Sequence, residues 1–220
     1  AFQNGTGYNV TFRGGNLTIV GATSPNDTAE YFSSGTFNRG SSVITLKAVN
    51  TNATRLKFTG AITNNVAQSQ GAGPAGASLL IRGTNLGASL GDAVMWWNGI
   101  ITWNGQGGGN DAKNKGIMSW VLVDDTETGF GTSFGTADGG SSYARALNQQ
   151  VYDNSTFAAG TRFTHEYETD DVVTANNNLH LISQVAVSAT VSPNSLTVEA
   201  GAGLTLAAGA RLSLQSGGIL

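Results

Sequence analysis

The stretch LTVEAGAGLTLAAGARLSLQSGGIL, residues 196–220, decides the fold. It repeats every eight residues: a leucine, a second apolar residue two positions later, and a glycine three positions after that. Alternate residues of a strand share one face, so each unit predicts a short strand with its apolar pair on one side. The glycine predicts the corner that follows, because glycine tolerates a left-handed backbone. The apolar pairs are Leu196, Val198, Leu204, Leu206, Leu212 and Leu214.

Two arrangements of these units fit the pattern. Successive strands can be the sides of a solenoid coil, with the apolar pairs stacked into a ladder, or they can form a small meander with glycine turns. A repeat cannot bury its own apolar face and needs stacked neighbours. The stretch therefore packs on its own domain, continues into further repeats, or completes a neighbouring subunit by strand addition. Its six apolar residues are candidate assembly contacts.

Strand patterns also dominate the rest of the chain. Alternating segments occur at 8–13, 16–20, 43–49, 54–60, 161–169 and 179–191, and a mostly apolar run at 116–123 predicts a central strand. NTNA (50–53) predicts a hairpin between its flanking strands, and the one candidate helix is short, at 143–151. These features predict an all-β chain, with a β-sandwich or jelly-roll-like domain at 1–192 and a repetitive β tail at 193–220. A β-solenoid is the rival architecture.

Composition narrows the classes of partner. Of 220 residues only 11% are charged, the net charge is −3, and there is no basic run, which argues against nucleic acid. The chain has no cysteine, so disulfides and thiolate metal sites are excluded, and no apolar run is long enough to span a membrane. Asn-x-Ser/Thr sequons, which are glycan acceptors in a secreted protein, occur at Asn4, Asn9, Asn16, Asn26, Asn52 and Asn154.

The repetitive tail, with GGNLTIV near the start and NLHLISQVAVSATV before the tail, resembles large secreted surface proteins and adhesins of the Bacteroidota. Asp27-Thr28-Ala29 is similar to the short O-glycosylation motif of that phylum. The resemblance implies an exported protein of the cell surface or of a filament. It implies no catalytic residues.

Catalytic motifs are weak in this sequence. GASLG (87–91) and GTSFG (131–135) match Gly-x-Ser-x-Gly, but neither is followed by the helix that a nucleophile elbow needs. The two histidines, His165 and His180, lie in alternating segments. We therefore expect no catalytic residues, and an enzyme fragment is the least favoured hypothesis.

Acidic residues form two groups that predict a calcium site. Carboxylate oxygens are the ligands that Ca²⁺ prefers, although neither group has EF-hand spacing. A solvated strand face or a polar turn is the competing interpretation. The candidate ligands are Asp124, Asp125 and Glu127 in one group, and Glu166, Glu168 and Asp170 in the other.

The segment VMWWNGIITWNG (94–105) predicts a hairpin, because Asn98-Gly99 is the preferred pair for a type I′ turn. Exposed tryptophans on such a hairpin would stack on sugar rings, and the competing interpretation places them in the core. The candidate glycan-binding residues are Trp96, Trp97, Trp103, Asn110 and Asp111, with Asn114 and Lys115 as further polar contacts.

Together these features predict a non-enzymatic extracellular structural or adhesive protein. Low charge and the uncovered tail favour a homo-oligomer or polymer, assembled into a surface filament or layer by β-strand packing between copies. The alternative is a carbohydrate-binding β-sandwich module that uses the tryptophan hairpin, with or without calcium. No other cofactor is expected.

Overall fold

The structure is a computed structural model that describes residues 8–23, 27–50, 52–60, 62–64, 76–87, 93–97, 108–137, 144–148 and 163–220. These residues form sixteen strands and no helix. The all-β prediction is confirmed. The strands are β1 (Tyr8–Phe12), β2 (Gly15–Val20), β3 (Thr28–Phe37), β4 (Gly40–Lys47), β5 (Thr54–Phe58), β6 (Ile62–Asn64), β7 (Ala77–Gly83), β8 (Ala93–Trp97), β9 (Met118–Asp124), β10 (Ser133–Ala137), β11 (Ala144–Ala146), β12 (Asn178–Leu181), β13 (Gln184–Val187), β14 (Ser195–Val198), β15 (Gly203–Leu206) and β16 (Gly218–Ile219).

The first nine strands alternate between two parallel sheets. One sheet has the order β1-β3-β5-β8, with β6 beside β3, and the other runs β2-β4-β7-β9 before continuing into β10 and β11. Apart from β5 and β6, which both pair with β3, strands that follow one another in the chain lie in different sheets, and each pairs with the equivalent strand of the next turn of chain. This is the coil topology of a β-solenoid, the rival that the sequence allowed.

Stacked apolar side chains explain why the coils hold together. In the second sheet Leu17 pairs with Ile44, Ile44 with Ile81, and Ile81 with Val123, so one row of inward residues runs through four coils. The inward faces of both sheets share one buried core. Burial at about 25 cal/mol per Å² of apolar surface makes this stack the main source of stability in the region.

Two local predictions are wrong in this part of the chain. NTNA does not close a hairpin between its flanking strands, because β4 and β5 lie in different sheets. The candidate helix is not formed in its described part, since Ala144–Ala146 is strand β11, antiparallel to β10. At the first site the flanking strands pair with neighbouring coils, and at the second the segment pairs with the preceding strand β10.

A second stack of coils contains the repetitive tail. Strands β12, β14 and β16 form one parallel sheet, β13 and β15 form another, and a parallel bridge joins Val191 to Leu212. Each eight-residue unit is thus one side of a coil, which is the solenoid alternative rather than the meander. Gly201, Gly209 and Gly217 have φ of 88°, 83° and 74°, so the predicted left-handed corners are confirmed.

The two stacks meet through a ladder of polar side chains. Asn178 and Asn194 both donate side-chain hydrogen bonds to the carbonyl oxygen of Lys115, at 3.1 and 3.2 Å, and Asn194 also donates to Asn178. Gly218 lies against the ring of Phe134. Strands from both sides of the predicted division at residue 192 lie in one sheet, and the division into two domains stays a prediction.

The predicted strand at 161–169 is wrong for its described residues, 163–169, which form an irregular segment. Alternation placed Glu166 and Glu168 on a solvated face, but both side chains are buried. Glu166 forms an ion pair with Arg145, and Glu168 forms one with Lys113. These interior partners explain why the segment does not join a sheet. The predicted strand at 179–191 is interrupted, and forms β12 and β13 with a corner at Ile182 and Ser183.

Among the described residues, no helix has the length and apolar character that crossing a membrane requires.

Candidate functional site

The edge strands of the stacks are the strongest candidate for a functional surface. Within the described residues, β2 pairs only with β4, β15 only with β13, and β16 only with β14. The outer edge of each strand carries main-chain donors and acceptors that a further strand could satisfy. These edges lie at the start of the first stack and at the end of the second.

Large apolar side chains are exposed on these same strands. Val20 on β2 is 55% exposed, Leu206 on β15 is 41% exposed, and Ile219 on β16 is 66% exposed. Few charges protect the edges: residues 8–20 contain only Arg13, and residues 203–220 contain only Arg211. Natural sheets usually place Lys or other charges on open edges to prevent association.

The start of the first stack also carries a groove with both apolar and polar walls. Its volume is 240 Å³, and it opens between β2 and β3, where β1 does not cover the first half of β3. Aliphatic and aromatic side chains form most of its walls, and one carboxylate reaches it. The lining residues are Leu17, Thr18, Ile19, Val20, Glu30 and Phe32.

The outer edge of β12 contrasts with these open edges. The main-chain N–H of Glu168 donates to the carbonyl of Asn178, and that of Asp171 donates to the carbonyl of His180. The segment around Glu168 thus covers the start of the second stack. Several described strands pair on one side only. Among them, the outer edge of β12 is covered by the chain itself, whereas no described segment pairs with the outer edges of β2, β15 and β16.

The six candidate assembly residues occupy three kinds of position: buried, partly buried and exposed. Leu196 is buried in the core of the second stack beside Leu179 and Leu181. Leu206 is the exposed member, on an open edge. Four are partly buried and pack against this core: Val198, Leu204, Leu212 and Leu214.

The first acidic group belongs to a turn between β9 and β10. Asp124 is buried, and its carboxylate accepts bonds from the main-chain N–H of Thr126 and of Gly131 and from the Thr126 hydroxyl. A Cβ at Gly129 would lie 1.9 Å from the Asp124 carboxyl carbon, so only glycine fits there. Asp125 is exposed, and Glu127 forms an ion pair with Lys47.

The second acidic group does not share one face. Glu166 pairs with Arg145, Glu168 with Lys113, and Asp170 with His180. Across the described residues, no three His, Asp or Glu side chains come together in an arrangement that could hold a metal ion. Each of these three carboxylates has a basic partner, and calcium binding stays a prediction.

The predicted glycan site falls largely outside the described residues. Trp103, the Asn98-Gly99 turn, and the side chains of Trp96 and Trp97 lie there, although the main chains of Trp96 and Trp97 pair with β5. Asn110 accepts bonds from Lys115 and Arg145, and the Asp111 carboxylate accepts bonds from His165 and Thr164. Glycan binding stays a prediction.

Sequence reasoning missed a histidine held between two carboxylates. His180 Nδ1 is 2.8 Å from Asp170 and Nε2 is 3.0 Å from Glu199, and its ring packs against Tyr167. Burial lowers the pKa of His180, but the hydrogen bonds to Glu199 and Asp170 outweigh it, so the pKa lies above its usual 6.5. Alternation within 179–191 showed that His180 and Leu179 face opposite ways, but no local pattern identifies Glu199 as its partner.

Comparison with known proteins finds no match to this chain: no family model, no curated protein and no solved structure is significantly similar to it.

Proposed function

We propose that this chain is a non-enzymatic structural protein, exported to the cell surface, that assembles by packing edge strands of one copy against edge strands of the next. The observation that carries the proposal is the coincidence of open main-chain edges with exposed apolar side chains at Val20, Leu206 and Ile219. Scattered apolar residues are normal on a surface, but their placement on bare edges favours strand addition.

The position of the edges predicts the geometry of assembly. The β2 edge lies at the start of the first stack, and the β15 and β16 edges lie at the end of the second. A contact between these unlike edges is heterologous, and such contacts give rings when the rotation closes and filaments when it does not. A filament or layer is therefore the expected product, with the coils of one copy continued by the next.

The sparse charge of the chain supports the same proposal. A protein with 11% charged residues and a net charge of −3 has little self-repulsion to keep copies apart. The groove lined by Leu17 and Phe32 gives an incoming strand an apolar surface beside the β2 edge. The absence of cysteine means that such an assembly would depend on packing and main-chain hydrogen bonds.

The experiment measures particle mass against protein concentration by sedimentation velocity, with electron microscopy of the same samples. We expect the unmodified chain to form concentration-dependent polymers. Ile219→Lys and Val20→Lys each place a charge on an open edge, and we expect each to shift assembly to at least about tenfold higher concentration, because burying an unpaired charge is costly.

Ile182→Lys is the matched control. Ile182 is 51% exposed but lies at a corner between β12 and β13, outside the three edge strands β2, β15 and β16. This variant should assemble like the unmodified chain. A chain that stays monomeric at every concentration, or edge variants that assemble as readily as the control, would refute the proposal.

A further inference from the structure

Phe130 has the most exposed large apolar side chain among the described residues. Its exposed fraction is 89%, above the 70% of Tyr8 and the 66% of Ile219. Single apolar residues are normal on a protein surface, so exposure alone identifies no site. The second observation is the turn between β9 and β10, which carries Phe130.

A buried carboxylate fixes the main chain on both sides of Phe130. Asp124 accepts bonds from the main-chain N–H groups of Thr126 and Gly131, at 3.0 and 3.1 Å. Gly131 has a φ of 100°, which favours glycine, and a Cβ at Gly129 would overlap the Asp124 carboxylate. Both neighbours of Phe130 are therefore glycines that this backbone requires.

Contacts to the neighbouring coils hold the same turn from outside. Arg82 Nη1 donates to the carbonyl oxygen of Gly129 at 3.0 Å, and Glu127 forms an ion pair with Lys47 at 3.5 Å. A side chain presented by a fixed turn loses little conformational freedom when it binds, because the main chain is already ordered. Aromatic anchors dominate the binding energy of many protein interfaces. The turn thus presents Phe130 to solvent in a form that is ready to bind.

The groove between β2 and β3 has a size that suits one aromatic side chain. Its volume of 240 Å³ is below the range of about 300–1,000 Å³ that is usual for small-molecule sites, whereas about 150 Å³ is enough for a benzene ring. Leu17, Ile19 and Phe32 supply apolar walls, and Glu30 is the one charged residue of its lining. The positive edge of an aromatic ring suits a carboxylate, and a second ring packs well against Phe32. A phenylalanine therefore matches the groove in both size and chemistry.

We propose that Phe130 of one copy of the chain inserts into the β2–β3 groove of a second copy. The proposal rests on the self-assembly proposed above, and it adds a side-chain contact to the pairing of edge strands. Because Phe130 is exposed, it does not fill the groove of its own chain. The groove of a neighbouring copy removes the ring from water, and the ring in turn covers the exposed apolar wall of that groove.

This contact joins two unlike surfaces of the molecule. An apolar side chain that enters a pocket elsewhere on an identical copy makes a heterologous contact, which repeats from copy to copy. The product is a ring when the rotation closes and a filament when it does not. Since the groove opens beside β2, insertion of Phe130 also brings a neighbouring copy next to the open β2 edge.

Photo-cross-linking within assemblies of the full chain tests the proposal. Phe130 is replaced by p-azido-phenylalanine, which adds only a small photoreactive group to the ring, and copies grown with ordinary and with heavy nitrogen are mixed before assembly. Trypsin leaves position 130 in the peptide 116–145 and all of the groove residues in the peptide 14–39. We expect cross-links that join 116–145 of one label to 14–39 of the other, which only a contact between copies produces.

Phe130→Ser removes the ring from an exposed position, so the variant should fold like the unmodified chain. We expect it to shift assembly to about tenfold higher concentration in sedimentation velocity, because loss of an aromatic anchor weakens a contact far more than loss of a peripheral side chain. Val172→Ser is the matched control. Val172 is 43% exposed and belongs to neither the turn nor the groove, so this variant should assemble like the unmodified chain.

The Phe130 contact and the assembly on which it rests can fail separately. Polymers that form without cross-links to 14–39, or that form as readily from Phe130→Ser as from Val172→Ser, overturn the Phe130 contact and leave assembly through the edge strands standing. A chain that stays monomeric at every concentration refutes both.

Discussion

Arg145 and Glu166 show how strongly a single buried ion pair shapes its surroundings. Both groups are removed from water, and the guanidinium binds the carboxylate through two donors. Desolvation makes such a pair costly to build, but breaking it is far worse, because the remaining charge has no compensation. The pair also explains why the segment around Glu166 leaves the alternating pattern that its sequence suggests.

Glu166→Gln should lower the free energy of unfolding by about 3–5 kcal/mol, since Arg145 would keep its charge in the interior. Urea unfolding followed by circular dichroism measures the change. Asp27→Asn is the control, because Asp27 pairs with Arg55 at a much more exposed site, and its loss should cost about 0–1 kcal/mol. Equal effects of the two substitutions would contradict the argument.

The raised pKa of His180 predicts how the stability of the folded chain changes with pH. Its pKa is raised in the folded state, so folding favours the protonated ring that donates to Glu199 and Asp170. The stabilisation is complete below the unfolded value of 6.5 and is lost as the pH rises through the folded pKa. Thermal unfolding of the unmodified chain and of His180→Gln, compared across pH, measures it.

The melting temperatures of the two proteins should differ most below pH 6.5 and converge in alkaline solution. A difference that is constant with pH would mean that His180 contributes by packing against Tyr167 alone.

Glu168 contributes stability that is lost as the pH falls, whereas the contribution of His180 is lost as the pH rises. The hydrogen bond from Lys113 lowers its pKa most, burial opposes that change, and bonds from Thr169 and Asn177 lower it further, to about 2. The stability from this group is present above 4.5 and is lost as the pH falls through the folded value. Glu168→Gln should therefore reduce stability at neutral pH and lose that effect near pH 2, as acid titration of unfolding would show.

At the scale of elements, the polar ladder joins the second stack to the first. Asn178 begins β12 and is fully buried, with its Nδ2 donating to the carbonyls of Lys115 and Glu166 and its Oδ1 accepting from Asn194 and Ser195. The side-chain amide of Asn178 therefore makes all of its hydrogen bonds to residues outside β12. An apolar residue in this position would leave several buried groups without partners.

Asn178→Ala should cost about 3 kcal/mol or more in unfolding free energy, because each unsatisfied buried group costs about 1–3 kcal/mol. Gln184→Ala is the matched control in β13: its amide donates to the carbonyl of Gly201 on the exposed surface, and its loss should stay within about 0.5 kcal/mol. Chemical denaturation of both variants measures the difference. A cost at Asn178 no larger than that at Gln184 would show that the ladder does not hold the stacks together.

The repetitive elements show how far a local pattern reaches. The eight-residue period correctly placed β14 and β15 and the corners at Gly201, Gly209 and Gly217, because side-chain alternation and left-handed glycines act within a few residues. The same eight-residue period is compatible with both a coil and a meander. That choice depends on whether Leu196 lies beside Leu179, its partner in β12, or beside its own successor in the chain.

At the scale of the whole molecule, parallel pairing sets where new contacts can form. A solenoid has bare edges only at the ends of its stacks, whereas a closed barrel has none. The described chain covers one of these ends itself, along β12, whereas β2, β15 and β16 are among the strands that pair on one side only. Assembly through these strands is therefore a consequence of topology as much as of composition.

The amino-acid sequence by itself determined that the described chain is built from strands, where glycine turns the backbone, and which residues face inward along β2, β4 and the tail. These properties follow from alternation and backbone freedom over a few neighbouring residues. Only the tertiary structure decided that the strands pair in parallel between coils, that Glu166 meets Arg145 inside, and that Lys115 lies against Asn110. Partners in the interior are chosen by the burial and hydrogen bonding of groups far apart in the chain, and no local pattern encodes that choice.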